Sequence, residues 1–481
     1  MIGLDAADFE YIRASIAVLP TLSGALARGV WRRLLSPADL LPGCVWPTFY
    51  TGSAPGEHGI YHHLQWDARA MRLRRVTPAW LACEPFWCDF ERRGLRVTVV
   101  DVPMSFPSRL DVGIEVANWG SHDQLGPLAI QPGALRAEFE GRFGVAHAMG
   151  AEIPVNKTRR ELRSILKRLV NGAAQKAELI RWLCLRTEWD FLLAVFGETH
   201  RGGHILWPEE IDGLLPEGAL RDVYAAVDKA VGQVLAALPR DTLVILFSLH
   251  GMGANTSQEH FVAPVVDRVN AHFIDGPHVS DRGDRRGMVR RLREGIPARL
   301  QNAIARNVPV SIRDRVVDRQ ISGGHNWART PGFDILADLN GYLRLNIRGR
   351  ELEGMLEPGS PMHERYVDWM RTCFESLRSG DSGDRLVRDV IFTSRALPGS
   401  RCDRLPDAVV TWTGAPPAVR VVSDRVGAIS ARLRTGRGGN HRPDGFAIVL
   451  EPGAEISGEA PPFNVIDFVA MIRGRMLKPA P

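Results

Sequence analysis

Asp5, the pair His200 and His204, and the segment Gly43–Ile60 hold the residue types and spacings that could do chemistry in this chain. The segment reads Gly-Cys-Val-Trp-Pro-Thr-Phe-Tyr-Thr-Gly-Ser-Ala-Pro-Gly-Glu-His-Gly-Ile. Pro and Gly at these offsets predict a turn, a short helix and a second turn. Cys44 stands at the predicted helix start, where a nucleophile would hold a phosphate against free backbone N–H groups and the positive end of the dipole. Thr48 is the other usable group, although from inside the helix it suits a structural role. A buried, apolar Cys44 is the alternative reading, as is an ordinary loop–helix connection for the whole segment. Asp5 follows Met1-Ile2-Gly3-Leu4, which reads as a strand end delivering a carboxylate. Open α/β sheets bind ligands at the carboxyl ends of their strands, so a metal suits Asp5; capping a helix with Asp5 or Asp8 is the alternative. His200 and His204 follow the apolar run Phe191–Phe196 with three residues between them. Imidazole binds zinc as readily as carboxylate does, and two histidines so placed after a core strand read as ligands. Glu198 suits a partner that fixes a ligand tautomer. The adjacent His62 and His63 point different ways on any regular element and make no such pair.

The elements that must position these groups alternate between strand and helix. Arg96–Pro103, Trp189–Gly197 and Thr242–Ser248 read as buried strands, being nearly continuous apolar runs. Ile16–Val30, Lys157–Arg186 and Val223–Leu238 read as helices. Val387–Phe392 and Ala408–Trp412 are later strands, and Leu339–Glu351 alternates like a hairpin. Pro264–Arg319 is Arg-rich and weakly patterned, which predicts helical surface, and the Pro-rich end after Pro461 reads as a tail. This alternation predicts an α/β fold with a mostly parallel sheet.

A chain of 481 residues makes ~2–4 domain-sized units. The charge of +5 suits an anionic substrate but is too small and too dispersed for a nucleic-acid-binding module. Cys44, Cys83, Cys88, Cys184, Cys373 and Cys402 form no CxxC pair, which predicts free thiols in a reducing compartment. Neither a signal peptide nor a membrane span is visible. A cytoplasmic location is the expectation.

The Thr51-Gly52 and Pro55-Gly56-Glu57-His58-Gly59-Ile60 pattern resembles the nucleophile segment of the type I phosphodiesterase/nucleotide pyrophosphatase family, within the alkaline phosphatase superfamily of zinc phosphohydrolases. Further likenesses are Gly3-Leu4-Asp5, His204 and Trp207 after the second buried strand, Ser248-x-His250-Gly251 after the third, and Gly439-Asn440-His441-Arg442-Pro443. Asn340-Gly341-Tyr342, Arg344-Leu345-Asn346 and Gly349-Arg350-Glu351 resemble a signature of bacterial members. The resemblance implies an alkaline phosphatase-like three-layer sandwich with a central, mostly parallel sheet and inserted cap segments. Its core would be 1–115, 187–262 and 330–475, with a cap insertion at 116–186 and a helical or irregular insertion at 263–329. It implies His200, His204 and His441 around one metal and Asp5 and His250 on another. The ion would be zinc, with manganese as the other option, one or two per chain. Arg344 and Arg350 would contact a phosphoester substrate, or Arg350 and Glu351 would form a structural salt bridge.

Three positions depart from the family pattern. Pro42 stands where the nucleophile belongs, which leaves Cys44 as a shifted replacement; His200 stands for an Asp ligand; Leu249 stands for another and cannot ligate. Asn255 and His260 are the residues nearby that could compensate. The expected function is metal-dependent cleavage of phosphodiester, pyrophosphate or related bonds in a small anionic substrate. A catalytically impaired member that binds an anion, or a phospho-group transferase, is the alternative. Oligomeric state is not legible.

Overall fold

The computed structural model describes all residues except 82, 109, 151–156, 208–216, 277–309, 432, 434–435, 454–456 and 478–481. The chain divides into two compact units, the first formed by Met1–Ala54, Thr77–Ala254 and Gly436–Pro481, the second by Pro55–Val76 and Asn255–Thr435.

The first unit is built on a ten-stranded sheet. Its main strands are β1 (Ile2–Leu4), β2 (Val30–Leu35), β3 (Val97–Val100), β4 (Ile114–Ala117), β5 (Ala129–Gln131), β6 (Phe191–Phe196), β7 (Val244–Ser248) and β8 (Asp444–Leu450). They lie in the order β2-β8-β7-β1-β6-β3-β4-β5, with the short Gly458–Glu459 and Phe463–Asn464 strands beside β2. The five neighbours β7, β1, β6, β3 and β4 are mutually parallel. β8 and β5 run antiparallel to their neighbours.

Side chains alternate across a strand, so a strand buried on both faces must be apolar throughout. Ile2, Leu4, Leu192, Ala194, Phe196, Leu246 and Ile448 face helices Pro20–Arg28, Arg159–Arg186 and Ala219–Leu235. On the other face an aromatic layer forms. Phe49 packs on Phe247 and Phe468, and Phe86 and Phe90 pack on Phe191. Their helices are Val45–Thr51, Phe86–Arg92 and Val465–Met476. Helix, sheet and helix give the three-layer, mostly parallel α/β architecture expected.

The segment 116–186, expected as a cap insertion, lies within the first unit. β5 extends the sheet, and the Arg159–Arg186 helix is the longest member of one helical layer. Thr158 and Glu161 start that helix with a capping box. Its Leu162, Ile165, Leu169, Ala173, Ala177, Ile180 and Leu183 recur every three or four residues and are buried. Each large apolar side chain so buried contributes about 1.5–3 kcal/mol.

The second unit has its own antiparallel sheet, in the order Gly332–Asp334, Gly341–Leu345, Ala408–Trp412, Val387–Phe392. Gly341–Leu345 closes an antiparallel hairpin with the preceding strand Gly332–Asp334, not within Leu339–Glu351, and pairs on its other side with the distant Ala408–Trp412. Residues 255–435 belong to this second unit together with 55–76. Val262–Asp275 and Pro361–Glu375 supply core residues such as Val265, Val269, Tyr366 and Phe374. Of the expected 263–329 insertion, residues 277–309 lie outside the described residues. Among the described residues no helix is long and apolar enough to cross a membrane.

The helix Val45–Thr51 ends at Gly52, whose φ of +67° is left-handed. An added Cβ there would lie 3.1 Å from Val469 Cγ1. Gly52→Ala is expected to destabilise the protein by about 1–2 kcal/mol, measured as a shift in the urea unfolding midpoint. In the second unit His58 is buried, its Nδ1 accepts from Ile60 N at 3.0 Å, and burial pushes its pKa down to about 3. The unfolded chain takes up this proton near pH ~6.5, whereas the folded chain does so only near 3, so stability is lost as pH falls through that window. A His58→Gln variant should show a flatter fall between pH 6.5 and 3 in the same measurement.

Candidate metal centre

The five parallel strands send their carboxyl ends to one edge of the sheet, and the cluster forms there. Asp5 ends β1. Its backbone N donates to Phe196 O (2.9 Å), its O accepts from Thr199 Oγ1 (2.6 Å), and Trp46 Nε1 donates to its Oδ1 (2.8 Å). The Asp5 side chain is fully buried.

The helix Glu198–Leu206 follows β6 directly. Residues four apart share a helix face, so His200 and His204 stand together with ring centroids 4.7 Å apart. His250 follows β7, and the strand after it, Gly251–Ala254, pairs with Gly439–Arg442 so that Met252 faces His441. The His441 ring lies 4.9 Å from that of His250, 4.7 Å from that of His204 and 5.0 Å from that of His200. Glycine makes this approach possible. A Cβ on Gly439 would stand 2.3 Å from Gly203 O. In its absence Gly438 N donates to His204 O (2.7 Å), and His204 Nδ1 lies 2.9 Å from Gly439 O.

His122, in the turn after β4, is a member that no motif or spacing in the chain had marked. Its Nδ1 lies 3.1 Å from Asp5 Oδ2, and His200 Nδ1 lies 2.9 Å from the same oxygen. The His122 and His200 rings are 3.7 Å apart. Potential ligand atoms of Asp5, His122 and His200 all fall within 4.8 Å of one another, as do those of His200, His250 and His441. His200 belongs to both sets. The expected division, with Asp5 and His250 on one ion and His200, His204 and His441 on the other, differs from these sets. Asp5 groups with His122 and His200, and His250 groups with His200 and His441.

The donors fit a divalent ion. Asp5 Oδ2, His122 Nδ1 and His200 Nδ1 are buried atoms that form no hydrogen bond, an arrangement that costs free energy unless another partner compensates. Burial, and then the neighbouring His122, His441, His250 and Arg437, hold the His200 imidazole well below its ordinary pKa. It is therefore neutral, the form that ligates. Glu198 is also buried, and burial raises its pKa. Leu249 is buried and brings no donor.

Other anticipated residues stand differently. Cys44 precedes the Val45–Thr51 helix and is completely buried, and that burial pushes its thiol pKa upward. Its side chain hydrogen-bonds with Thr48, which is 2% exposed. The residue of this helix that reaches the cluster is Trp46. Arg344 and Arg350 belong to the second unit. Arg344 Nε donates to Glu351 Oε1 (2.8 Å) and its Nη1 to Asp403 O and Leu405 O (2.7 Å each). Arg350 forms a two-pronged pair with Asp407 (2.7 Å each) and also reaches Glu351. These guanidiniums brace their own sheet, and the Arg350–Glu351 contact is the structural pair given as the alternative to a substrate contact. Asn255 Oδ1 accepts from Ser257 N, and His260 Nε2 lies 2.8 Å from Ala418 O, all within the second unit. Neither residue belongs to the two ligand sets above.

No curated protein matches the chain. Among solved structures, an inactive form of murine ectonucleotide pyrophosphatase/phosphodiesterase 5 in complex with AMP is 12% identical, with a TM-score of 0.51 over 100% of this chain and 95% of that one. Phosphonoacetate hydrolase from Sinorhizobium meliloti 1021, in complex with phosphonoformate, is 15% identical, with a TM-score of 0.51 over 97% of this chain and 93% of that one. At these identities the likeness is one of fold. A profile of the family described as type I phosphodiesterase/nucleotide pyrophosphatase matches residues 1–345, a span that contains Asp5, His122, His200, His204 and His250. With that match over most of its length, the chain belongs to the type I phosphodiesterase/nucleotide pyrophosphatase family.

Proposed function

We propose that the protein is a metal-dependent phosphohydrolase that cleaves phosphodiester, pyrophosphate or related phosphorus-ester bonds in a small anionic substrate. The observation that carries this reading is the convergence of Asp5, His200, His250 and His441, with His204 beside them, at the carboxyl ends of β1, β6 and β7. These residues would hold one or two divalent ions, zinc or manganese. Such an ion polarises a phosphoryl oxygen and lowers the pKa of water.

The chain's own residues prepare the site. Trp46 Nε1, by donating to Asp5 Oδ1, fixes the carboxylate plane and leaves Oδ2 directed at the histidines. Gly439 O, beside His204 Nδ1, favours the tautomer with the proton on Nδ1 and the lone pair on Nε2. The two solved relatives support the substrate class, one being in complex with AMP and the other with phosphonoformate. The attacking group in this reading is water. A thiol that is fully buried and held protonated is a poor nucleophile, and Pro42 carries none.

The same facts favour a second reading, in which the fold binds an anionic phosphoester without turning it over. Leu249 offers no ligand, and burial closes off Cys44 and Thr48. Two measurements separate the readings. Metal-loaded protein should hydrolyse bis-p-nitrophenyl phosphate or a phosphonate monoester, lose the activity to a chelator, and lose it by roughly a hundredfold or more in His441→Ala. Hydrolysis indifferent to both treatments contradicts the proposal, and ligand binding without hydrolysis selects the second reading. Brief alkylation of native protein with iodoacetamide, mapped by mass spectrometry, should modify the exposed Cys83 and spare Cys44. Rapid modification of Cys44 that abolishes turnover would restore it as the nucleophile.

A further inference from the structure

The turn between β4 and β5 is held more firmly than a covering loop requires. Asn118 and Asp123 adopt left-handed φ angles of +60° and +48°, a region that Asn and Asp enter more readily than other residues with a side chain. The turn is clamped from two sides. Asp101, at the end of β3, accepts from Trp119 N at Oδ1 (2.8 Å) and from Gly120 N at Oδ2 (2.6 Å), and its Oδ2 also pairs with Lys176. Asp101 and Lys176 side chains are 0% and 2% exposed. From the other side Arg201 donates to Gly120 O (3.1 Å) and Ser121 O (3.2 Å). Four consecutive backbone groups just before His122 are thus fixed, one clamp coming from the residue next to His200.

We propose that His122 is a metal ligand and that Asp5, His122 and His200 form a three-donor site, with His122 supplying from the β4 turn the ligand that Leu249 lacks. The inference rests on the reading of the cluster as a divalent-metal centre and adds a residue to it. Three observations carry it. Asp5 Oδ2, His122 Nδ1 and His200 Nδ1 converge, with the oxygen 3.1 and 2.9 Å from the two nitrogens. Ligands about 2.0 Å from a tetrahedral ion stand about 3.3 Å from one another, close to these separations. None of the three atoms forms a hydrogen bond, and Asp5 and His200 are more than nine-tenths buried.

The third observation is the composition of the set. One carboxylate and two imidazoles leave a divalent ion with a residual charge of about +1 and one open position, the arrangement typical of a catalytic zinc site. The His122 side chain is 13% exposed, so this member of the set lies at the accessible edge of the cluster. Two nitrogen donors favour zinc or cobalt over magnesium.

Cobalt(II) titration of the full chain, stripped of metal, tests the assignment through spectra. His122→Cys should give a thiolate-to-cobalt charge-transfer band absent from the parent protein. His122→Ala should lower affinity for one cobalt equivalent at least tenfold, while its metal-free unfolding midpoint stays near that of the parent. A His122→Cys protein without the band, together with a His122→Ala protein that titrates like the parent, overturns the assignment and leaves the hydrolase reading standing. A parent protein that takes up no divalent ion overturns both.

Discussion

The structure depends on a carboxylate placed where water cannot reach it. Asp5 ends the central strand of the sheet and is fully buried, and an isolated ionised carboxylate in such surroundings is untenable without strong compensation. One oxygen receives the Trp46 indole N–H. The other faces two imidazole nitrogens and is hydrogen-bonded to neither. The demand for positive charge at that point gives the surrounding architecture its purpose. Five parallel strands end on the same side, and the segments that follow them bring Asp5, Asp101, His122, His200 and His250 to a single edge.

The supporting features follow from bringing polar groups so close together. Imidazole rings packed 4.7–5.0 Å apart leave no room between their backbones, hence the glycines where the final loop crosses the Glu198–Leu206 helix. Burial keeps His200 neutral and raises the pKa of Glu198. The Lys176–Asp101 pair is expensive to bury; its return is a fixed backbone immediately before His122.

Much of this was legible in the chain. Asp5, His200, His204 and His250 lie at or just beyond the ends of apolar runs, and an apolar run predicts a buried strand whose carboxyl end faces a site. His441 was legible only through its Gly-Asn-His-Arg-Pro context. His122 was hidden because the placement of its turn depends on Lys176 and Asp101, 75 residues apart in sequence. The pairing of Arg350 with its neighbour Glu351 was legible, whereas that with Asp407 was not, because Asp407 is 57 residues further on and carries no mark of pairing. For Cys44 the position at a helix start was read correctly, but burial there is set by helices packed from elsewhere in the chain. The helix within 157–186 was legible as a helix, but its place in a layer against the central sheet depends on strands far from it in sequence.

The central claim is that this buried aspartate and its histidines form a metal centre. The most direct measurement is elemental analysis of the full chain purified without chelators and without a histidine tag. The account predicts at least one equivalent of zinc or manganese per chain, and a substantial loss of that metal in Asp5→Asn, which keeps the side-chain shape and removes the charge. A folded parent protein with no bound metal, also after incubation with zinc and manganese, would contradict it.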